Sequence, residues 1–184
     1  MTSVSALADL VRARPPRLGP VRLVCVDGPA GSGKTTLAEL LAGALGAVVL
    51  HLDDLYEGWS GLDGVFDRLD EQVLTPLAAG RPGRYQRYDW EAGRFAEWRD
   101  VPVPEFLVVE GCGSAPLALG DRAVLLAWVE APESTRLLRG LARDGEHMRA
   151  EWLRWQRLEE VHFARERTRD RAEVVVDGLT ELEP

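Results

Sequence analysis

One nine-residue stretch, residues 28–36 with the sequence GPAGSGKTT, constrains the fold of this chain more than any other. It matches the pattern G-x-x-x-x-G-K-[ST], which requires a strand before it and a helix after it. Both are predicted, the strand from the apolar run VRLVCVDG and the helix from TTLAELLAGAL, which Gly46 ends. Glycines let backbone N–H groups surround a phosphate, and the helix N-terminus adds partial positive charge. The sequence therefore predicts a phosphate-binding loop.

Lys34 is the only lysine of the chain, and every other Lys or Arg position is arginine. A thin stem with a compact charge can reach the β- and γ-phosphates from within a tight turn, whereas the wide guanidinium fork suits clamping from outside. The hydroxyl of Thr35 is expected to bind Mg²⁺. We therefore expect ATP and Mg²⁺ as cofactors, with the nucleotide held by Gly28, Pro29, Ala30, Gly31, Ser32, Gly33, Lys34, Thr35 and Thr36.

Four further apolar segments are typical of buried strands: residues 47–54, 106–113, 123–132 and 172–178. Helical patterns lie between them. Strands that alternate with helices predict an α/β fold of the P-loop NTPase type, with a five-stranded parallel sheet and helices on both faces. We expect one domain over residues 1–184.

The helical patterns cover residues 4–13, 67–79, 132–144 and 146–170, and Pro76 is expected to break or kink the second of them. Residues 80–104 contain six glycines and prolines and are predicted to be irregular. Arginines and aromatic residues are interleaved in that segment, and they could stack a ring of a ligand or cover the sheet. These are Arg84, Tyr85, Arg87, Tyr88, Asp89 and Trp90.

Acidic residues end two of the predicted strands. Asp53 and Asp54 end the second strand and could accept the proton of an attacking hydroxyl, or could simply be turn residues. Glu110 ends the third strand and could hold Mg²⁺ through water or polarise a water. Ligands bind at the carboxyl ends of the strands in such sheets, so these acids are candidate site residues. His51, within a strand, is expected to be structural.

Two helices carry further candidates. Arg136, Arg139 and Arg143 are spaced to share one helix face, which suits an anionic ligand or, alternatively, a solvated surface. Glu159 and His162 interrupt the apolar stripe of the long helix, where they either make satisfied structural contacts or line a substrate pocket.

Composition excludes some classes of function. The formal charge of −8 argues against a nucleic-acid-binding surface. The two cysteines are far apart, which is typical of a reduced protein. No apolar run reaches the roughly 18 residues of a membrane span, and the first 20 residues do not have the pattern of a signal peptide. We therefore expect a cytoplasmic protein whose partner is a small-molecule acceptor rather than a nucleic acid or a membrane, with the oligomeric state undetermined.

Beyond single residues, the chain resembles the uridine kinase, phosphoribulokinase and pantothenate kinase group of P-loop kinases from about residue 21 to 178. The resemblance is carried by GPAGSGKTT, by LDDLY, by FLVVEG and by RLLRGLARD, which is similar to the start of the uridine kinase lid. The stretch GRYQRYDW is similar to a family segment that helps to form the acceptor pocket. After Asp144, GEHMRAEWLRW replaces the basic residues usual in the family, and the histidine-containing acceptor segment of uridine kinases has no clean counterpart.

The resemblance implies a role for each matching residue. Asp53 would be the general base, and Glu110 would contact magnesium or water. Arg139 and Arg143 would be lid arginines near the transferred phosphoryl group, with Arg139 also contacting the nucleotide. Residues 57–104 would form the acceptor-binding insertion and residues 136–170 a helical lid with its following helix. The expected substrate-contacting residues are Asp53, Tyr56, Tyr88, Glu110 and, from its place on the long helix rather than from the resemblance, His162.

The expected function is ATP-dependent phosphoryl transfer to a hydroxyl of a small molecule, for which a nucleoside such as uridine is one candidate. A kinase of the gluconate or shikimate type, an ATPase or nucleotide-dependent switch without acceptor, and a non-catalytic nucleotide-binding module are the alternatives. A GTPase is disfavoured, because its N-K-x-D motif needs a second lysine.

Overall fold

The computed structural model describes residues 3–180 and contains two sheets. Five strands form a sheet in the order β2-β5-β1-β6-β7, and every neighbouring pair is parallel. The remaining two strands, β3 and β4, form an antiparallel hairpin. The strands are β1 Arg22–Asp27, β2 Val48–His51, β3 Gly83–Asp89, β4 Arg94–Val101, β5 Phe106–Glu110, β6 Ala123–Glu130 and β7 Val174–Asp177. The predicted five-stranded parallel sheet is confirmed.

Helices cover both faces of the parallel sheet, as predicted. Along β1, Val24 and Val26 point to the face covered by α1 and α2, whereas Leu23 and Cys25 point to the face covered by α3, α4 and α6. The helices are α1 Val4–Ala13, α2 Lys34–Leu45, α3 Val65–Leu69, α4 Thr75–Ala78, α5 Glu133–Asp144, α6 Arg149–Glu166 and α7 Thr168–Arg171. Among residues 3–180, no helix has the length and apolar character needed to cross a membrane.

The prediction of irregular structure for residues 80–104 is wrong, because most of this segment forms the β3–β4 hairpin. A shift of register between Gln86 and Tyr88 interrupts the pairing. As a result, Tyr85 and Tyr88 are both buried although they are three residues apart, which hides the period of two expected for a strand.

Three predicted segments are divided differently in the structure. Strand β2 ends at His51, and the two aspartates lie in a 3₁₀ turn, Leu52–Asp54. A π-helical turn, Asp70–Leu74, joins α3 to α4, and Pro76 lies in the first turn of α4. The predicted helix over residues 146–170 begins with a 3₁₀ turn and breaks at Arg167, whose φ of 51° is left-handed.

Candidate active site

The phosphate-binding loop follows β1 directly, and its shape depends on glycine. At Gly28 φ is 139°, and a Cβ there would lie 2.1 Å from the carbonyl oxygen of Val129 on β6. At Gly31 φ is 77°, and a Cβ would lie 2.7 Å from the carbonyl oxygen of Arg136 on α5. Neither position can accept a side chain, so the loop is packed between the sheet and α5.

Lys34 begins α2, and its side chain is almost fully buried in the loop. Its ammonium group donates a hydrogen bond of 2.9 Å to the carbonyl oxygen of Pro29 and lies 3.7 Å from the sulfur of Cys112. Burial would lower the pKa of Lys34, but nearby Cys112, Glu110 and Glu159 outweigh burial and raise that pKa above its ordinary value. The lysine is therefore a fixed positive charge at the phosphate site.

Asp27, the last residue of β1, orders the base of the loop and was not singled out from the sequence. Its fully buried carboxylate accepts backbone N–H groups of Gly28, Gly113 and Ala115 at 2.8–3.0 Å. Burial raises the pKa of Asp27 to about 6. The sequence signal for this role was an acid directly before the first loop glycine. Its partners Gly113 and Ala115, which follow β5, become neighbours of Asp27 only when the parallel sheet forms.

Thr35 and Glu110 place a hydroxyl and a carboxylate side by side next to the loop. The Thr35 hydroxyl donates to Glu110 Oε1 at 3.2 Å, and the same oxygen contacts His51 Nδ1 at 2.7 Å. The hydrogen bond to Glu110 raises the pKa of His51 despite partial burial. Among residues 3–180, no three His, Cys, Asp or Glu side chains converge as a metal site. One hydroxyl and one carboxylate nevertheless fit Mg²⁺, which takes its other ligands from water and phosphate.

Asp53 and Asp54 are adjacent in sequence but point to different surroundings. Asp53 lines the cleft beside the loop, and its backbone carbonyl accepts a hydrogen bond of 2.8 Å from the indole N–H of Trp90. Asp54 instead accepts hydrogen bonds from the hydroxyl of Tyr85 at 3.0 Å and from Arg99 at 2.9 Å. Asp54 is therefore committed to the hairpin, and only Asp53 faces the cleft.

Asp53 is exposed to the cleft, but protein atoms surround its carboxyl group on the other sides. Desolvation by this concave surface, followed by the negative charge of Glu110, raises the pKa of Asp53 above its ordinary value. A carboxylate with a raised pKa binds a proton more readily, which is the property required of a general base.

A cleft of about 1240 Å³ runs from the phosphate-binding loop past Asp53. At one end it is lined by residues of α2 and by residues 176–180, which include the end of β7 and the segment after it. At the other end it is lined by aromatic side chains. Trp59 lies at the centre of the aromatic end, with ring centroids of 5.7–6.2 Å to three other indoles. The aromatic end comprises Tyr56, Trp59, Trp90, Trp152 and Trp155.

The three arginines of α5 differ in environment. Arg139 lines the cleft and donates to the carbonyl oxygens of Gly31 and of the segment after β7, at 3.2 and 2.9 Å. Arg143 also lines the cleft and forms a two-pronged ion pair with its neighbour Asp144, at 2.7 and 3.0 Å. Arg136 is nearly buried and pairs with a carboxylate on α6. The structure therefore brings Arg139 and Arg143, but not Arg136, to the cleft.

Two residues expected to contact substrate do not line the cleft. Tyr88 lies behind its wall, where its ring packs against Trp90 and Phe95. His162 lies beside Gly113, and its Nδ1 contacts Arg165 at 3.3 Å. Burial lowers the pKa of His162. Neither side chain lines the cleft, and the expectation that Tyr88 and His162 contact substrate stays a prediction.

Comparison with known proteins gives partial relatives in sequence. No known family profile matches the chain. It is 34% identical over 115 residues to the cytidylate kinase of Natronomonas pharaonis, a match that covers 62% of this chain and 54% of that protein. It is also 34% identical over 140 residues to a tRNA dimethylallyltransferase of Anaeromyxobacter dehalogenans, with coverages of 68% and 44%. The chain thus spans about half the length of these curated relatives.

The structural similarity extends over nearly the whole chain. A possible uridine kinase from Bacillus stearothermophilus superposes with a TM-score of 0.71 at 20% identity, covering 95% of this chain and 97% of that one. The chain has the uridine kinase-like P-loop kinase fold. A candidate fructose transport system kinase from Silicibacter sp. TM1040 gives a TM-score of 0.63 at 21% identity, with coverages of 96% and 98%. At such identities the likeness establishes the fold alone.

Proposed function

We propose that this protein transfers the γ-phosphoryl group of ATP to a hydroxyl of a small-molecule acceptor. The observation that carries the proposal is the position of Asp53, which lies in one continuous cleft between the phosphate-binding loop and the aromatic end. A nucleotide on the loop would direct its γ-phosphate toward Asp53, and an acceptor at the aromatic end would meet it there. Of the two partial relatives described above, the cytidylate kinase supports a kinase, whereas the tRNA dimethylallyltransferase does not.

Each polar residue of the cleft has a role in this reaction. The acceptor oxygen bonds to the γ-phosphorus while the bond from that phosphorus to the β,γ-bridging oxygen breaks, and the hydroxyl proton passes to Asp53. Lys34, Arg139 and Arg143 stabilise the charge on the transferred group and the leaving ADP. Thr35 and Glu110 would hold Mg²⁺, which neutralises phosphate charge when bound.

The aromatic end favours a kinase over an ATPase without acceptor. Hydrolysis needs only a water molecule beside the γ-phosphate, whereas several indole faces next to Asp53 offer a surface on which a planar or apolar acceptor can stack. A nucleoside such as uridine is one acceptor with a ring and free hydroxyls, and the aromatic surface is less suited to the sugar acid of a gluconate-type kinase. Transfer assays with Mg²⁺-ATP against nucleosides, sugars and vitamin precursors would identify the acceptor class.

The adjacent aspartates provide a matched test of the mechanism. We expect Asp53→Asn to lower kcat by about 10²–10⁴-fold, because the acceptor hydroxyl loses its proton acceptor. The dissociation constant of ATP, measured by titration calorimetry, should remain near the wild-type value. Asp54→Asn makes the same chemical change one residue away, where it weakens contacts to the hairpin, so it should retain most of the turnover.

Two outcomes would contradict this assignment. Full turnover of Asp53→Asn would remove Asp53 from the mechanism. Strong ATP hydrolysis by the wild-type protein that no added acceptor changes would favour the ATPase.

A further inference from the structure

A buried ion pair joins the two helices beside the cleft to the phosphate-binding loop. Arg136 on α5 donates to Glu159 Oε1 on α6 at 2.6 Å, and the exposed fractions of the two side chains are 11% and 3%. The other oxygen, Glu159 Oε2, accepts the backbone N–H of Ala30 at 2.8 Å. One carboxylate therefore contacts both α5 and the loop, although Ala30 and Glu159 are 129 residues apart in sequence.

Arg136 binds the same loop residue from the other side. Its guanidinium donates to the carbonyl oxygen of Ala30 at 3.3 Å and to that of Ala131 at 3.1 Å. The pair thus fixes the direction of both the N–H and the C=O of Ala30. The next residue, Gly31, packs against the backbone of Arg136 so closely that a Cβ would not fit. The loop and the first turn of α5 are consequently held as one unit.

Stability alone does not account for an ion pair at this place. Burying two charges costs solvation energy, and apolar side chains of similar volume commonly give equal or greater stability. Apolar side chains would, however, leave the N–H of Ala30 without a partner and its orientation unspecified. What the ion pair supplies is a defined loop conformation before nucleotide binds.

We propose that Glu159 is a positioning residue that, together with Arg136, holds Ala30 in the nucleotide-receiving conformation and sets the distance from the loop to α5. Arg139 and Arg143 lie on α5, so the same contact places them over the phosphates. This inference rests on the proposed function, because it requires the loop to bind ATP. Glu159 itself contacts protein groups and is not assigned a contact with substrate.

The test compares two buried carboxylates of α6. Glu159→Gln removes the charge that faces Arg136, and we expect the dissociation constant of Mg²⁺-ATP to rise roughly tenfold or more, because the loop is no longer held in place. Glu166→Gln is the matched control. Glu166 accepts the N–H of Leu117 at 2.8 Å and pairs with Arg165 at 2.8 Å, but away from the loop. The Glu166→Gln variant should lose about as much thermal stability as Glu159→Gln. It should nevertheless bind Mg²⁺-ATP as the wild-type protein does.

A double variant separates folding from positioning. Arg136→Leu with Glu159→Leu removes both charges and fills the space, so the protein should fold with a melting temperature near that of the Glu166→Gln control. Its affinity for Mg²⁺-ATP should nevertheless stay weak, because Ala30 has lost both partners. Titration calorimetry well below the melting temperature gives the affinities, and thermal unfolding gives the stabilities.

The possible results distinguish this inference from the proposed function. Wild-type affinity in Glu159→Gln or in the double variant would overturn the positioning role and leave the proposed kinase standing. An equal loss of affinity in Glu166→Gln would also overturn it, because any weakening of α6 would then have the same effect. Failure of the wild-type protein to bind Mg²⁺-ATP would overturn both.

Discussion

At the scale of single residues, Lys34 is buried within the phosphate-binding loop. Its ammonium group lies between the carbonyl oxygen of Pro29 and the sulfur of Cys112, and the side chain is 7% exposed. Arginine has the same charge but a planar fork of donors that requires more room. The prediction from sequence, that the one lysine stands where geometry forbids arginine, is consistent with this burial.

We therefore expect Lys34→Arg to lower phosphoryl transfer by roughly 100-fold or more, since the displaced charge no longer meets the transferred group. Steady-state kinetics with Mg²⁺-ATP and circular dichroism would measure activity and fold together. Arg84→Lys, on the exposed face of the hairpin, is the reverse exchange and should change neither. Near-normal activity of Lys34→Arg would show that the loop tolerates a guanidinium.

Residues were predictable from sequence where a local pattern carried the signal. The loop glycines, Lys34 and Thr35 follow from a motif, and Glu110 from its place at a strand end. Which of Asp53 and Asp54 faces the cleft could not be predicted from a local pattern. That choice depends on Tyr85 and Arg99 of the hairpin, which bind Asp54.

At the scale of elements, the close packing of α5 on α6 requires a glycine at position 140 of α5. A Cβ at Gly140 would lie 2.3 Å from ring atoms of Trp152. Gly140→Ala should therefore push the two helices apart, lowering the free energy of unfolding by about 1–3 kcal/mol. Because α5 carries Arg139 and Arg143, kcat should fall as well.

Gly43→Ala is the control for this prediction. Gly43 lies within α2 with no atom near the position of a Cβ, so alanine should stabilise the helix by about 0.5–1 kcal/mol without affecting turnover. Denaturant unfolding and initial rates measure the two effects. If Gly140→Ala were as stable and as active as the wild type, the close packing of α5 on α6 would not be required.

Elements were predictable where burial on both sides of the sheet imposes continuous apolar runs. All five strands of the parallel sheet have apolar runs, and the three inner strands, β1, β5 and β6, are buried along nearly their whole length. The hairpin has no such run, because β4 is mostly exposed and the bulge in β3 shifts the alternation of its buried side chains. The residues of the aromatic end come from the turns after β2, from the hairpin and from α6, so their convergence is a property of packing rather than of any local pattern.

At the scale of the whole molecule, Asp27 couples folding to pH. Its pKa is about 6 in the folded protein, above the ordinary 3.8, so the folded state binds the proton more tightly than the unfolded state. As pH falls from about 7 to about 4, this carboxyl should therefore add up to about 3 kcal/mol to the free energy of unfolding. Lys34 is the charged group that opposes this shift.

The measurement is the free energy of unfolding of wild type and Asp27→Asn across this pH range. The variant lacks the titrating group, so the wild type should gain stability relative to it as pH falls, on top of a constant cost for the lost N–H acceptor. If the wild type's gain in free energy of unfolding over Asp27→Asn were independent of pH, or grew as pH rises, the three backbone donors would be keeping the carboxylate ionised.

Local patterns were enough to establish a phosphate-binding loop in an α/β sheet, because each glycine, strand and helix involved is specified by residues adjacent in the chain. They were not enough for the acceptor side. Contacts between residues far apart in sequence decide that Asp53 rather than Asp54, and Arg139 rather than Arg136, faces the cleft. Contacts of the same kind bring the indoles together around that cleft. Such contacts depend on how helices and the hairpin pack on the sheet, and packing is a property of the folded chain as a whole.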